Sequence, residues 1–402
     1  MNYTKEEVIQ YINEDDVKFI RLAFCDVYGN QKNISIMPTE LERAFEHGIA
    51  IDASAITGFG DEQHSDLFLF PDPETLMYLP WRPEHGKVMR MYTTIKKPDG
   101  STFECDTRSL LKKAVSDAKR EGYTFFFGAE QEFYLFNLDE EGNPTKEPHD
   151  NAGYMDVAPA DRGENMRREI CLTLEQMGIQ PESSHHEEGP GQNEIDFHYS
   201  DALSAADNVM TFQNVVKTAA FRNGLYADFS AKPFDDKPGN GFHINMSVRA
   251  KDEGDHLGSM TEGVLNKIKD ITAFLNPTED SYKRFGLSKA PAYISWAEEN
   301  RSQLIRIPAS KSEYSRIELR SPDPMANPYL AFTLLIYAGL YGIKNNLKLR
   351  EANDLNLYST DEASLSKLEK LPVSRAEAIK YALKGDFVKE HIPAPIMDAF
   401  LI

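Results

Sequence analysis

Acidic residues recur in this chain at spacings that bring carboxylates together. The run Ser183-Ser184-His185-His186-Glu187-Glu188 turns at Gly189-Pro190-Gly191 and leaves through Gln192-Asn193-Glu194 into the alternating strand Ile195-Asp196-Phe197. Glu187 and Glu194 therefore meet. Like charges at a buried turn cost about 3–5 kcal/mol if left unpaired, so either cations share the place or the loop is solvated. That stretch by itself supports both readings equally. Glu130 and Glu132 lie two apart in the apolar run Tyr123 to Phe136, so both leave one face of a strand, where a solvated role is hard to defend. Phe242 to Ser247 sets His243, Asn245 and Ser247 on one face. A lone strand histidine is usually structural, but polar companions at i+2 and i+4 mark a face that lines a site. Ser315 to Arg320 places Arg316, Glu318 and Arg320 together.

Glu130, Glu132, Glu187, Glu194 and Glu318 supply five negative charges, with His243 as a neutral nitrogen ligand. Two or three divalent cations would neutralise them. Oxygen-rich ligation with one imidazole suits Mg²⁺ or Mn²⁺ and suits Zn²⁺ poorly. Arg284, Arg301, Arg306, Arg316 and Arg320 offer planar forks for carboxylate and phosphate. Acidic strands holding metals, ringed by arginines, describe a nucleotide phosphoryl-transfer site. The chain has no Walker A sequence and no kinase loop. Sheet-borne side chains and metals must then hold the nucleotide.

The elements that position these groups follow from periodicity. Residues 1–14 read as an amphipathic helix, and Val17 to Phe24 turns at Val27-Tyr28-Gly29-Asn30 into Asn33 to Ile36 as a hairpin. Thr39 to His47 is predicted as a helix with Thr39 as its cap and Glu42 three residues later. Strands are expected at Leu67–Phe70, Leu76–Leu79 and Lys87–Ile95, and Pro98-Asp99-Gly100 marks a boundary. Residues 1–99 are thus expected to form a small, mostly β domain. Residues 100–402 should form the second, with helices over Thr107–Glu121, Glu164–Met177, Asn208–Asn223 and Gly263–Leu275, and a buried helix over Tyr329–Ile343. Strands are expected at Tyr226–Ser230 and Phe242–Ser247. The tail from Ala352 is helical in composition, with no chemistry assigned to it.

Composition sets the class. The 402 residues are 41% hydrophobic and 27% charged, which describes a folded protein, and the formal net charge of −20 argues against binding nucleic acid or anionic membrane. Cys25, Cys105 and Cys171 have no CxxC spacing and read as reduced thiols of a cytoplasmic protein. The polar N-terminus does not look like a signal peptide, and the longest apolar run is too short to cross a bilayer.

Taken in order, the motifs resemble those of type I glutamine synthetases. Gly128-Ala129-Glu130-Gln131-Glu132-Phe133 resembles the family's G-P-E-x-E-F strand, and His185-His186-Glu187 with Gly191-Gln192-Asn193-Glu194 is similar to its H-H-E-V-x-x-G-Q-x-E hairpin. Gly239 to Ser247, Asn300 through Pro308 and Arg316 through Leu330 complete a match from about residue 17 to about residue 345. The resemblance implies an α+β fold: a small N-terminal β-grasp domain, then a catalytic domain on a curved antiparallel sheet with flanking helices. It also implies a homo-oligomer, dodecamer or hexamer, in which one subunit's N-terminal domain closes its neighbour's site. Glu132, Glu187 and Glu194 would hold one metal, and Glu130, His243 and Glu318 the other. Arg301, Arg306 and Arg316 would address ATP phosphates, with Asn245 and Ser247 near the adenine. Arg284 and Arg320 would hold the glutamate carboxylates beside Gly239. Asp52 would help bind ammonium, and Asp52, Arg301 and Arg320 are the expected catalytic residues. ATP is the implied co-substrate, and the implied reaction forms glutamine from glutamate and ammonia.

The sequence departs from the family pattern at four places. The latch F-D-G-S-S is Ile51-Asp52-Ala53-Ser54-Ala55, and the lid P-G-Y-E-A-P is Gly286-Leu287-Ser288-Lys289-Ala290-Pro291, with lysine where a glutamate would stand. The N-G-S-G turn is Pro238-Gly239-Asn240-Gly241. Set against the family pattern, the segment that would clasp an opposite ring is expected to be missing or reduced. The altered lid leaves a sister activity open, joining glutamate to an organic amine. A catalytically poor family member acting through partners is a third reading, against which every expected metal ligand speaks.

Overall fold

Alternating burial along the strands and one-sided burial along the helices assemble two α+β units in the computed structural model, which describes residues 3–82, 85–251, 254–287, 289–309 and 315–401. One unit contains residues 1–113, 176–178 and 392–402, and the other 114–175 and 179–391.

In the first unit, β1 (Val17–Cys25), β2 (Gln31–Ile36), β3 (Ile49–Asp52), β4 (Asp66–Pro71), β5 (Met77–Tyr78) and β6 (Lys87–Lys96) form one sheet in the order β2-β1-β6-β4-β3, with β5 on β6. The central β1–β6 pair is parallel. The expected hairpin is β1–β2, paired from Ile20 on Ile36 to Cys25 on Gln31. Helix α1 (Lys5–Glu14) starts in a capping box, where Thr4 Oγ accepts from the Glu7 amide at 3.2 Å and the Glu7 carboxylate accepts from the Thr4 amide at 2.7 Å.

Two boundaries here differ from the sequence expectation, each for a local reason. Thr39 is not a cap. Pro38, with its fixed φ, opens a 3-10 turn over Pro38–Glu40, and α2 (Leu41–His47) begins after it. The strand expected over Leu76–Leu79 shrinks to Met77–Tyr78, because a second 3-10 turn at Pro73–Thr75 uses the backbone before it. The tail also has a place. After α9 (Glu362–Leu365), α10 (Arg375–Lys384) and α11 (Phe387–His391), helix α12 (Ala394–Leu401) packs within the first unit, where Tyr28 stacks on Phe400 and its hydroxyl donates to Ala399 O at 2.6 Å.

The second unit is built on nine strands: β7 (Tyr123–Leu138), β8 (Pro144–Pro148), β9 (Pro181–His186), β10 (Gln192–Asp201), β11 (Leu225–Asp228), β12 (Phe242–Ala250), β13 (Trp296–Glu298), β14 (Ile305–Ile307) and β15 (Ile317–Leu319). The main order is β13-β14-β15-β12-β7-β10-β9, with β8 and β11 on β7. All pairs are antiparallel except β13–β14 at one edge. The sixteen-residue β7 is the spine of this sheet.

The helices of this unit are α4 (Glu164–Gln176), α5 (Ala202–Arg222), α6 (Leu257–Leu275), the short α7 (Glu279–Tyr282) and α8 (Pro328–Lys344), with the second half of α3 (Thr107–Arg120), whose first half belongs to the first unit. Helix α5 starts six residues before the expected Asn208, because Asp201 caps it by accepting from the Leu203 and Ser204 amides. Helix α6 likewise starts at Leu257 rather than Gly263. Gly263 belongs to its packing face. A Cβ there would fall 2.2 Å from Ala338 O and 2.8 Å from Gly342 Cα, so only glycine lets α6 and α8 approach this closely. Helix α8 is apolar and buried almost all round, as expected. Among the described residues, no helix is long and apolar enough to cross a membrane.

Candidate active site

Strand register brings the acids together. Across β7 and β10, Glu132 faces Glu194 and Glu130 faces Asp196. On the other side of β7, Glu130 faces His243 of β12. On β9, His185 faces Glu194 and Ser183 faces Asp196. Two rungs therefore cross the sheet, His243–Glu130–Asp196–Ser183 and Glu132–Glu194–His185. Directly opposed carboxylates are destabilising in a sheet, so the register itself calls for cations.

Candidate ligand atoms of Glu130, His243 and Glu318 lie within 4.8 Å of one another, as do those of Glu132, Glu194 and His243, and those of His185, Glu187 and Glu194. Burial raises Glu194 well above the ordinary carboxylate range, and Asp196, Glu132, Glu130 and Glu187 add to it. Burial also raises Glu132, with Glu187 adding to it. Glu130 and Glu187 shift the other way: burial opposes the charge on both, but hydrogen bonds from His243 and Asn245 and the nearby Arg320 hold Glu130 down at about 2, and His185, Lys289 and the Glu188 amide lower Glu187. The donor set is five carboxylates and one imidazole, four of the five nine-tenths buried or more. It fits hard divalent cations of the Mg²⁺ or Mn²⁺ kind.

Further hydrogen bonds fix the individual groups. Glu132 Oε2 accepts from the Gly241 amide at 2.8 Å and from Gln192 Nε2 at 3.1 Å. Asn245 Nδ2 donates to Glu130 Oε1 at 2.7 Å, and Arg316 Nε donates to Asn245 Oδ1 at 2.9 Å. The buried Glu318 accepts from Arg306 and Arg320. Arg284 is held by Ser321 O at 3.0 Å and Pro322 O at 3.3 Å, 3.7 Å from Asp323.

Two cavities open on opposite sides of the acid pair of β7. One of about 910 Å³ is lined by Glu130, Asp196, Asn245, Ser247, Arg316 and Phe126, among others. The other, of about 20 Å³, meets Glu132, Glu187, His243, Gly239, Arg284 and Lys289. Lys289, in its wall, has Nζ 3.0 Å from Glu188 Oε1, 3.8 Å from Glu187 Oε2 and 4.3 Å from the centre of the Tyr154 ring.

Most of the expected site residues gather here. Arg301 stands apart: it is exposed in the turn before β14 and forms no ion pair among the described residues. Asp52 belongs to the first unit, at the end of β3, where its Oδ1 accepts from the Ser54 amide at 2.9 Å and from Ser54 Oγ at 2.6 Å. Of the altered lid, Ser288 lies outside the described residues. Sequence reasoning missed Asp196, which burial and Glu130 raise to about 6. Its signal was present: in Glu194-Ile195-Asp196 it shares the face of Glu194 by period two.

The chain matches two family descriptions, "Glutamine synthetase, beta-Grasp domain" over residues 16–98 and "Glutamine synthetase, catalytic domain" over 104–402. It is 44% identical to a glutamine synthetase of Clostridium saccharobutylicum, over 96% of this chain and 91% of that one. It is 43% identical to one of Methanosarcina mazei, over 99% and 92%. Among solved structures, a GmaS–ADP complex superposes with a TM-score of 0.88 at 28% identity, covering 98% of this chain and 93% of that one. The fold is shared with the Plasmodium falciparum glutamine synthetase, at a TM-score of 0.86 and 22% identity over 100% and 95%.

Proposed function

The chain belongs to the glutamine synthetase family, and from that membership we propose that it is an ATP-dependent glutamate–ammonia ligase forming glutamine through a γ-glutamyl phosphate. The observation that carries this reading is the double row of carboxylates with a cavity on each side, one large enough for a nucleotide. Glutamine synthetases generally use ATP and divalent metals. Glu132, Glu187 and Glu194 would hold one cation and Glu130, His243 and Glu318 another, with Mg²⁺ or Mn²⁺ the fitting ions and two or three per site the proposed count. Bound there, the cations would offset negative charge on the transferring phosphoryl group.

The chain's own groups do the rest. Asn245, Ser247 and Arg316 line the larger cavity and would receive the nucleotide; Arg306, bonded to Glu318, and Arg301 are assigned to its phosphates on the family resemblance alone. Arg284, set in the wall of the smaller cavity with Gly239, would take a glutamate carboxylate, and Arg320 beside Glu318 would assist. A free carboxylate is a poor acylating agent at neutral pH. Phosphorylation of the γ-carboxylate supplies the leaving group, and aligned cationic donors stabilise the charge that develops. With the bond between the γ-phosphoryl and ADP broken, ammonia attacks the acyl carbon, the C–O bond to phosphate breaks, inorganic phosphate leaves, and the proton shed by the nitrogen passes to Asp52 or to solvent. Asp52 would help bind ammonium from the 1–99 domain, the 100–402 domain carrying the remaining groups. We place the protein in the cytoplasm as a homo-oligomer, dodecamer or hexamer.

Transfer to an organic amine is the second reading, raised by Lys289 in the place of the lid glutamate. An ammonium group already seated against Glu187 and Glu188 weakens a site for NH₄⁺. The test is phosphate release with ATP, Mg²⁺ and glutamate against ammonium and a panel of primary amines. Ammonium should be the preferred acceptor. A panel member with the higher kcat/KM would replace the first reading with the second.

A further inference from the structure

Behind the turn that bears Glu187 and Glu194 lies a buried polar knot that takes no part in the reading above. His186 is fully buried between Asp150 Oδ1, 2.9 Å from its Nε2, and the Glu187 carbonyl oxygen, 2.6 Å from its Nδ1. Both neighbours can only accept, so both ring nitrogens donate. Asp150 accepts more. Its Oδ1 also takes the Gly191 amide at 2.9 Å and the Ala152 amide at 3.3 Å, and its Oδ2 takes the Arg162 amide at 2.9 Å. Four donors thus hold this carboxylate, three on Oδ1 and one on Oδ2. The Met155 amide donates to His186 O at 2.9 Å. Arg167 bridges Asp161 and Asn193 Oδ1, and Asn193 Nδ2 returns to Gly191 O at 3.0 Å. Gly191 itself sits at φ +69°, with room for no Cβ: one would fall 2.8 Å from Leu135 O.

Asp150, Asp161 and His186 have the spacing of metal ligands, but their lone pairs are already taken by Arg167, the imidazole and backbone amides. The knot is a brace. It grips the turn at two points, His186 just before Glu187 and Gly191 shortly before Glu194. The other set, Glu130, His243 and Glu318, is joined by the β7–β12 and β12–β15 ladders, which the turn does not enter.

We propose that Asp150 is a positioning residue for one of the two cations: through His186 and the Gly191 amide it sets the separation of the Glu187 and Glu194 carboxylates. The proposal rests on those glutamates being metal ligands, and the experiment separates the two claims. Chelator-treated enzyme is titrated with Mn²⁺ and free ion followed by electron paramagnetic resonance, for wild type, Asp150→Asn and Glu194→Gln. Asp150→Asn turns an amide N–H₂ toward donors. It should weaken one class of Mn²⁺ site roughly 10- to 100-fold, the range for lost outer-shell support, and leave the other class unchanged. In turnover, the Mg²⁺ requirement should rise by the same factor, with kcat largely restored at saturation. Equal weakening of both classes, or of neither, would overturn the proposal, the first because it marks a general loss of structure. Retention of both classes in Glu194→Gln would overturn the metal reading and this inference with it. If Asp150→Asn does not fold, His186→Gln, which removes one of the two ring donors, is titrated with the same expectation and the same refuting results.

Discussion

Replacing Lys289 by glutamate tests the lid, where this chain is least like its family. Lys289 Nζ lies 3.0 Å from Glu188 and 3.8 Å from Glu187, and its side chain is 36% exposed. In a water-like medium each contact is an attraction of about 1 kcal/mol. Exposed pairs measure about 0.2–1 kcal/mol, so the two together are discounted to about 1–1.5 kcal/mol. An incoming ammonium loses up to that much to the resident lysine, and 1.4 kcal/mol is about tenfold in affinity. Burial opposes the charge on Lys289, but Glu187 and Glu188 outweigh it and raise its pKa above the ordinary lysine value. It stays protonated over roughly pH 6.5 to 9 and cannot take a proton from the acceptor. Wild type should therefore form glutamine slowly at neutral pH and faster as pH rises. Lys289→Glu should lower KM for ammonium about tenfold, flatten the pH rise, and favour ammonia over larger amines, with Lys289→Met falling between. Glutamine formation is measured against ammonium concentration at fixed ionic strength. Identical profiles for all three proteins would refute the electrostatic argument, whatever their absolute rates.

Three further outcomes follow from the geometry. Glu194→Gln removes a buried charge pressed by Asp196, Glu132, Glu130 and Glu187, so turnover should be lost while chelator-treated protein becomes more stable by about 1–3 kcal/mol; wild-type activity at saturating Mg²⁺ would rule out the ligand role. In the first unit burial opposes the Asp72 charge, but Arg108 at 2.9 Å and Lys112 at 2.7 Å outweigh it and depress its pKa. A depressed folded pKa gives stability that is present above the ordinary carboxylate range and lost as pH falls from there through the lowered folded value. Asp72→Asn should thus cost about 2 kcal/mol near neutrality and progressively less toward about pH 3, and a gap that does not narrow in acid melting curves would contradict this. Asp52 is carried by a different unit from the carboxylate rows, and family geometry assigns it to a neighbour's site, so activity should require an oligomer. A fully active monomer by light scattering would refute that.

Residue type and short-range period determined a good part of this protein. Period two placed Glu130 with Glu132, and His243 with Asn245, on shared faces, and Gly189-Pro190-Gly191 announced the turn that joins Glu187 to Glu194. The fully apolar pattern of α8 announced a buried helix. These signals are local, and local periodicity survives without knowledge of partners. Helix starts were less legible, because Asp201 caps α5 ahead of Ala202-Leu203-Ser204-Ala205-Ala206, a run of mostly small residues that shows no clear apolar period.

Tertiary structure decided what no local pattern carries. Which residue of β10 faces which residue of β7 depends on register, and a slip of one would turn every acid to the other face. The observed register put Asp196 opposite Glu130 and made it part of the site. It also set the brace at Asp150, which is 36 residues from His186 and 41 from Gly191 in sequence. Lys289 became a contact of Glu187 and Glu188 only when the lid folded over them. Sequence named the charged groups; long-range packing chose their neighbours, because electrostatic energy depends on distance in space and desolvation, neither of which spacing along the chain encodes.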